Sequence, residues 1–203
     1  MRLLVVSDKE ETGLWDYYTP RKTEGVDLIL SCGDLDPDYL EFLVTVVNKP
    51  LLYVRGNHDT IYDQKPPLGC IDIGRKVYTY QNIRILGLGG SYRYRPGDDM
   101  YTEAEMRRQI RKAAFGIYRA KGFDILLAHA PAAGYGDLED RAHRGFQCFN
   151  DLLQKYRPEY MLHGHVHMEY GRIQRERTHE CGTKIINCSG HVILDIPDRD
   201  TTK

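Results

Sequence analysis

Six short apolar runs punctuate the chain: RLLVVS (2–7), VDLILSC (26–32), LLYV (51–54), IRILGL (83–88), FDILLAH (123–129) and YMLH (160–163). Each is brief, rich in branched or aromatic side chains and bounded by turn residues, as strands buried on both faces are. Amphipathic stretches lie between them. Asp36-Pro37 supplies a helix N-cap and first residue, and Leu40, Leu43, Val44 and Val47 follow at helical spacing. A second helix over 102–122 opens with a Thr102-x-x-Glu105 capping box, aligns Met106, Ile110, Ala113 and Ile117, and stops at Gly122. A third covers roughly 146–156 through Phe146, Phe149, Leu153 and Tyr156, ending before Pro158. KVYTYQNIRIL reads as a hairpin turning at Gln81-Asn82, and TKIINCSGHVILDIP (183–197) as two further strands around Ser189-Gly190. This mixture predicts an α/β fold, with two sheets face to face and helices outside, in a single domain over residues 1–203.

The length allows a core that needs no disulfide staples. With 28 basic and 29 acidic residues the net charge is -1, so no overall field draws the chain to nucleic acid or to an anionic membrane. A small partner is expected. The apolar start ends at Ser7, too short for a signal-peptide core, and no stretch approaches a membrane span, which together predict a cytoplasmic protein. Five scattered cysteines (32, 70, 148, 181 and 188), none in a C-x-x-C pair, fit free thiols.

In open α/β sheets ligands bind beyond the carboxyl ends of the strands. Here those ends carry Asp8, Asp34, the Asn57-His58-Asp59 run, His129 and the sequence HGHVH, with histidines at 163, 165 and 167. Singly, Asp and Asn at such places make turns and caps. Together the carboxylates, carboxamide and imidazoles form a donor set suited to divalent metals that accept mixed oxygen and nitrogen ligands.

These blocks, Asp8, GD (33–34), GNHD (56–59), His129 and GHVH (164–167), resemble in kind and order those of the calcineurin-like metallophosphoesterase family. The resemblance spans nearly the whole chain and implies a four-layer αββα sandwich of two mixed sheets flanked by helices. It also implies a hydrolase with a binuclear centre. Asp34 is expected to bridge two divalent ions, with Asn57, His129 and His165 completing one site and Asp8 and His167 holding the other. Such ions sit about 3.5–4 Å apart and clamp a hydroxide that attacks phosphorus in line. By the same resemblance His58 protonates the departing alkoxide or stabilises charge on the phosphoryl oxygens, whereas His163 is expected to be a wall residue with a structural hydrogen bond.

Two places depart from the family pattern. Its first block reads Asp-x-His, and here Glu10 stands where the histidine would be. Either Glu10 is itself a ligand, giving an oxygen-richer site that favours manganese or magnesium over iron or zinc, or it points away and that site is weak. The family also often carries an Asp three residues after the bridging one, where this chain has Pro37, leaving Asp36 or Asp59 as the candidate partner of His58.

The loops GGSYRYRPGDDMY (89–101) and HAPAAGYGDLEDRAHRGF (129–146) are candidate walls of a substrate pocket, with His143 facing either the pocket or water. The leading expectation is a metal-dependent phosphoesterase acting on a small phosphate ester, with manganese as the first choice of metal. The alternatives are a nucleotide or cyclic-nucleotide phosphodiesterase of the same family, and a non-catalytic metal-binding interaction scaffold with the same fold. Oligomeric state is not legible.

Overall fold

The computed structural model describes residues 1–171 and 173–197. The single-domain reading over 1–203 therefore includes a few positions outside the described residues. The first sheet holds the parallel strands β1 (Arg2–Ser7), β2 (Leu28–Ser31), β3 (Leu51–Tyr53) and β4 (Ile71–Asp72). Strand β13 (Gly190–Asp195) runs antiparallel along the outer side of β1, giving the order β13-β1-β2-β3-β4.

The second sheet has a parallel centre of β6 (Ile83–Leu88), β9 (Ile125–Ala128), β10 (Tyr160–His163) and β12 (Lys184–Asn187). Its edges are the antiparallel strands β5 (Val77–Tyr80) and β11 (Glu176–Thr178), in the order β11-β12-β10-β9-β6-β5. The β5–β6 hairpin turns at Gln81 and Asn82, both with positive φ (43° and 66°), as tight hairpins between right-twisted strands require. A small parallel pair, β7 (Ser91–Tyr92) and β8 (Met100–Tyr101), lies in the Gly-rich loop.

Alternation along β1 explains the layering, because successive side chains point to opposite faces. Leu3 and Val5 join Leu28, Leu30, Ile85, Ile125, Leu127 and Leu162 in the core between the two sheets. Leu4 and Val6 face the other way, onto Tyr39, Leu40 and Leu43 of α1 (Pro37–Val47). All four β1 residues are fully buried, each contributing about 1.5–3 kcal/mol of apolar burial.

Across the second sheet, Leu86, Leu126 and Met161 pack on Met106, Ala113 and Ile117 of α2 (Glu103–Arg119) and on Phe149 and Leu153 of α3 (Gln147–Tyr156). Helix, sheet, sheet and helices thus form four layers. The helix starts follow the sequence closely: Asp36 caps α1 through the Asp38 amide, and Thr102 and Glu105 close both halves of the capping box on α2. No helix among the described residues is long and apolar enough to cross a membrane.

The parallel strands of both sheets end on one rim. Asp8, Asp34 and Asn57 follow β1, β2 and β3, while His129 and the segment 163–167 follow β9 and β10.

Candidate metal centre

Three of the residues just past those ends hold left-handed backbone: Asp8 (φ 63°), Asp34 (φ 56°) and His165 (φ 68°). Few non-glycine residues adopt this conformation, and it gathers at functional sites where the surroundings enforce it. Here the enforcement is visible. Asp34 and Gly56 donate their amides to Asp59 Oδ2 at 2.9 and 2.7 Å, and Leu35 donates to Asp59 Oδ1 at 3.3 Å. The His165 amide donates to Asp8 Oδ1 at 2.8 Å.

Glycine makes the approach possible at two points. A Cβ on Gly56 would stand 2.0 Å from Asp34 Oδ1, and one on Gly164 would stand 1.9 Å from Ser7 Oγ and 2.6 Å from Asp8 Oδ2. No side chain fits at either position.

Asp34, His129 and His165 converge, each offering a ligand atom within 4.8 Å of the others. The geometry at His129 is the most informative. Its Nδ1 lies 2.8 Å from the carbonyl oxygen of Cys32, which can only accept, so Nδ1 carries the proton of the neutral ring. Its Nε2 lone pair then faces Asn57 Oδ1 at 3.1 Å and Asp34 Oδ2 at 3.3 Å. Asp34 Oδ2 and the Nε2 lone pair of the fully buried His129 ring repel each other unless a positive charge lies between them.

A proton on Nε2 is one way to supply it. Burial alone would lower the His129 pKa, but the Asp34 and Asp8 carboxylates outweigh it and raise the ring to about 9. A divalent cation is the other way, and the donor set of one carboxylate, one carboxamide oxygen and two imidazoles fits such an ion. His165 agrees: its Nε2 donates to the Ala142 carbonyl at 2.7 Å, leaving Nδ1 unprotonated and able to ligate.

Electrostatics at the centre are divided. Burial would raise the Asp34 carboxyl, and the adjacent His129 ring more than reverses this, holding it well below the usual carboxylate range. Burial pushes Asp8 up, against the pull of His129 and the His165 amide. Burial, reinforced by the charge of Asp34, raises Asp59 to about 6. Burial and the neighbouring His129 lower His165 to about 3.

Asp8 Oδ2 is buried without a hydrogen-bond partner, the condition expected of a ligand oxygen at a second position. His167 lies near enough for its charge to act on Asp8, and its ring packs 5.0 Å from that of Tyr170. Glu10, like Asp8 and His167, lies outside the three-residue cluster. Its Oε1 accepts the Asp36 amide at 3.0 Å, so this carboxylate serves the start of α1.

His58 donates its backbone amide to Asp34 Oδ1 at 2.8 Å and lines a cavity of about 210 Å³ with Asn57 and Arg95. Among the described residues no hydrogen bond joins the His58 ring to either expected partner: Asp36 caps α1, and Asp59 accepts the amides of Asp34, Leu35 and Gly56. His163 is buried and donates Nδ1–H to the Gly164 carbonyl at 2.9 Å, the structural hydrogen bond expected of it, and burial lowers its pKa to about 4.

Nothing in the sequence points to the surroundings of His165. His143 packs at 5.3 Å from it and at 5.0 Å from Tyr170, with Nδ1 on the Asp140 carboxylate at 2.9 Å. Asn187 Nδ2, from β12, holds the Val166 carbonyl at 2.7 Å. The spacing of Asp140 and His143 is the nearest thing to a signal, and it is common in ordinary turns.

The chain is similar to known proteins. The sequence profile described as calcineurin-like phosphoesterase matches residues 2–169. UPF0046 protein T07D4.2 of Caenorhabditis elegans is 34% identical over 94 residues, covering 40% of this chain and 22% of that protein. The chain thus spans only about a fifth of the length of this curated relative. One solved crystal structure superposes with a TM-score of 0.69 at 13% identity, covering 96% of this chain and 94% of the other. That of TT1561 of Thermus thermophilus gives 0.65 at 13% identity, covering 93% and 89%. At such identities the likeness shows the fold.

Proposed function

The chain belongs to the calcineurin-like phosphoesterase family, and on that premise we propose that it hydrolyses a small phosphate ester at the rim where Asp34, His129 and His165 converge. The observation that carries this reading is the convergence of Asp34, His129 and His165, whose ligand atoms lie within 4.8 Å of one another, with Asp34 Oδ2 3.3 Å from His129 Nε2. A bound pair of divalent ions would supply charge for the phosphoryl oxygens and acidify an attacking water.

The chain's own residues do the rest. Asp34 presents Oδ2 toward His129 and Asn57 while its Oδ1 receives the His58 amide, so the carboxylate both faces the centre and sets the distance of His58 from it. To the exposed His58 ring, which lines one cavity with Asn57, we assign the protonation of the departing alkoxide. Asp8 offers the unpartnered Oδ2, with His167 beside it, as the second set of ligands. The preference for manganese or magnesium rests on Glu10 as a ligand. With Glu10 Oε1 accepting the Asp36 amide instead, the remaining mixed nitrogen and oxygen set accommodates iron and zinc as well.

The test is metal-stimulated release of p-nitrophenol from its phosphate monoester, after elemental analysis of protein purified without chelators. His165→Ala and Asp34→Asn are expected to abolish it, and unchanged turnover in both variants discards the assignment. Comparing bis-(p-nitrophenyl) phosphate with the monoester separates a phosphodiesterase from a phosphatase. A protein that binds metal and cleaves neither would be the interaction scaffold.

A further inference from the structure

Beside His58 the rim opens into a second, larger space. The turn Arg95-Pro96-Gly97 walls both the 210 Å³ cavity that contains Asn57 and His58 and a neighbouring cavity of about 500 Å³. The larger one is lined by Arg93, Tyr94, Arg95 and Arg141 and by no carboxylate, in a chain whose net charge is -1. Its arginines differ in engagement. Arg93 is committed, with Nε and Nη2 on the Met100 carbonyl at 3.2 and 3.1 Å and Nη2 also on Glu105. Arg95 rests 5.4 Å from the centre of the Tyr94 ring, and among the described residues neither it nor Arg141 has an acidic partner.

The two exposed side chains come from different loops, and the backbone beside the second is tied to the centre. Arg141 sits between Asp140, which accepts the Ala142 amide at 2.9 Å, and Ala142, whose carbonyl holds His165. A pair of unpaired guanidinium groups beside the leaving-group side of a phosphoesterase suits one class of ligand, because guanidinium forks match the oxygens of phosphate and carboxylate.

We propose that the Arg95–Arg141 cavity binds a second anionic group, phosphate or carboxylate, carried on the alcohol portion of the substrate. The substrate class is then a doubly anionic phosphate ester. This rests on the hydrolase reading, since the scissile phosphate occupies the centre while the second anion reaches the arginines. The lining of the larger cavity contains no carboxylate, whereas Asp98 lines the smaller one.

The experiment uses matched pairs, fructose 6-phosphate with fructose 1,6-bisphosphate and glycerol 3-phosphate with 3-phosphoglycerate. Calorimetric titration of the chelator-treated protein reads the arginine contacts without turnover. The doubly anionic member of each pair is expected to bind about tenfold more tightly, the size of a single charge-assisted contact. An R95A/R141A variant is expected to erase that difference, and R95K to restore part of it. In metal-loaded protein the same double variant is expected to raise KM for the doubly anionic ester with little change in kcat. Equal affinities within both pairs overturn the inference even if every ester is hydrolysed. An intact affinity difference without any phosphate release, with p-nitrophenyl phosphate also uncleaved, upholds the anion site and overturns the hydrolase reading instead.

Discussion

His165 Nε2 lies 2.7 Å from the carbonyl oxygen of Ala142, a residue 23 positions earlier in the chain. That bond decides which ring nitrogen carries the proton, and the carbonyl is itself held in place. Asp140 Oδ1 accepts the amides of Ala142 and His143 at 2.9 and 3.1 Å, and Oδ2 takes His143 Nδ1 at 2.9 Å. Asp140 therefore bears on the His165 ring from the surface, through one peptide unit and one imidazole.

Replacing Asp140 with alanine is expected to weaken divalent-metal affinity about tenfold, the lower end of what losing an outer hydrogen bond to a ligand costs. Calorimetric titration of the chelated variant checks this, with circular dichroism showing the fold retained. Asp140→Asn, which keeps an acceptor oxygen, should lose less.

Gly164→Ala places a methyl group against Ser7 Oγ and Asp8 Oδ2. The variant is expected to lose about 1–3 kcal/mol of stability in urea unfolding, as over-packing of a tight site does. Combining it with Ser7→Gly removes the nearer obstacle and should recover part of the loss.

Asp59→Ala strips the acceptor from the amides of Gly56, Asp34 and Leu35. Stranding these groups is expected to cost about 3 kcal/mol, measured by urea unfolding of the metal-free protein. The loss belongs to the fold, so it should appear without any metal present.

Glu10→Gln keeps an oxygen for the Asp36 amide, and the variant is expected to bind as many equivalents of metal as the parent. Elemental analysis and competition with a chromophoric chelator read the stoichiometry. Loss of an equivalent would place Glu10 among the ligands.

The capping box on α2 should show as a pH-dependent stability. Hydrogen bonds from the Thr102 amide and hydroxyl hold the Glu105 carboxyl below its ordinary value of 4.5. A depressed carboxylate stabilises above its unfolded pKa and ceases to as pH falls through its folded one. The melting-temperature gap between the parent and Glu105→Ala is thus expected to be full near neutrality and to close below about pH 4.

The strands and helices can be read because burial and capping are local. RLLVVS forms β1 without adjustment, and the Asp36 and Thr102 caps stand where the sequence places them. The runs 26–32 and 123–129 lose their outer residues to loops, giving β2 and β9, and Phe146 is the N-cap of α3 instead of part of its first turn. Strands β4, β7, β8 and β11 leave no trace in the pattern: the first three are two residues long, too short for any period to register. β11 has only exposed side chains.

At the site, the convergence of Asp34, His129 and His165 follows from polar residues at the ends of parallel strands. The placement of Glu10 does not, because its acceptor role is settled by the Asp36 amide, 26 residues away, and neither residue type announces that pairing. His143 is undecidable from sequence for a similar reason, since its contacts are made by a loop with no repeating pattern.

Asp34 hangs from one sheet, whereas His129 and His165 hang from the other. An ion gripped by all three would rivet the halves of the sandwich together at the rim, where oily packing gives way to open loops. Losing it would then cost the molecule a seam as well as a reagent, and the catalytic lip would be the first part of the body to gape.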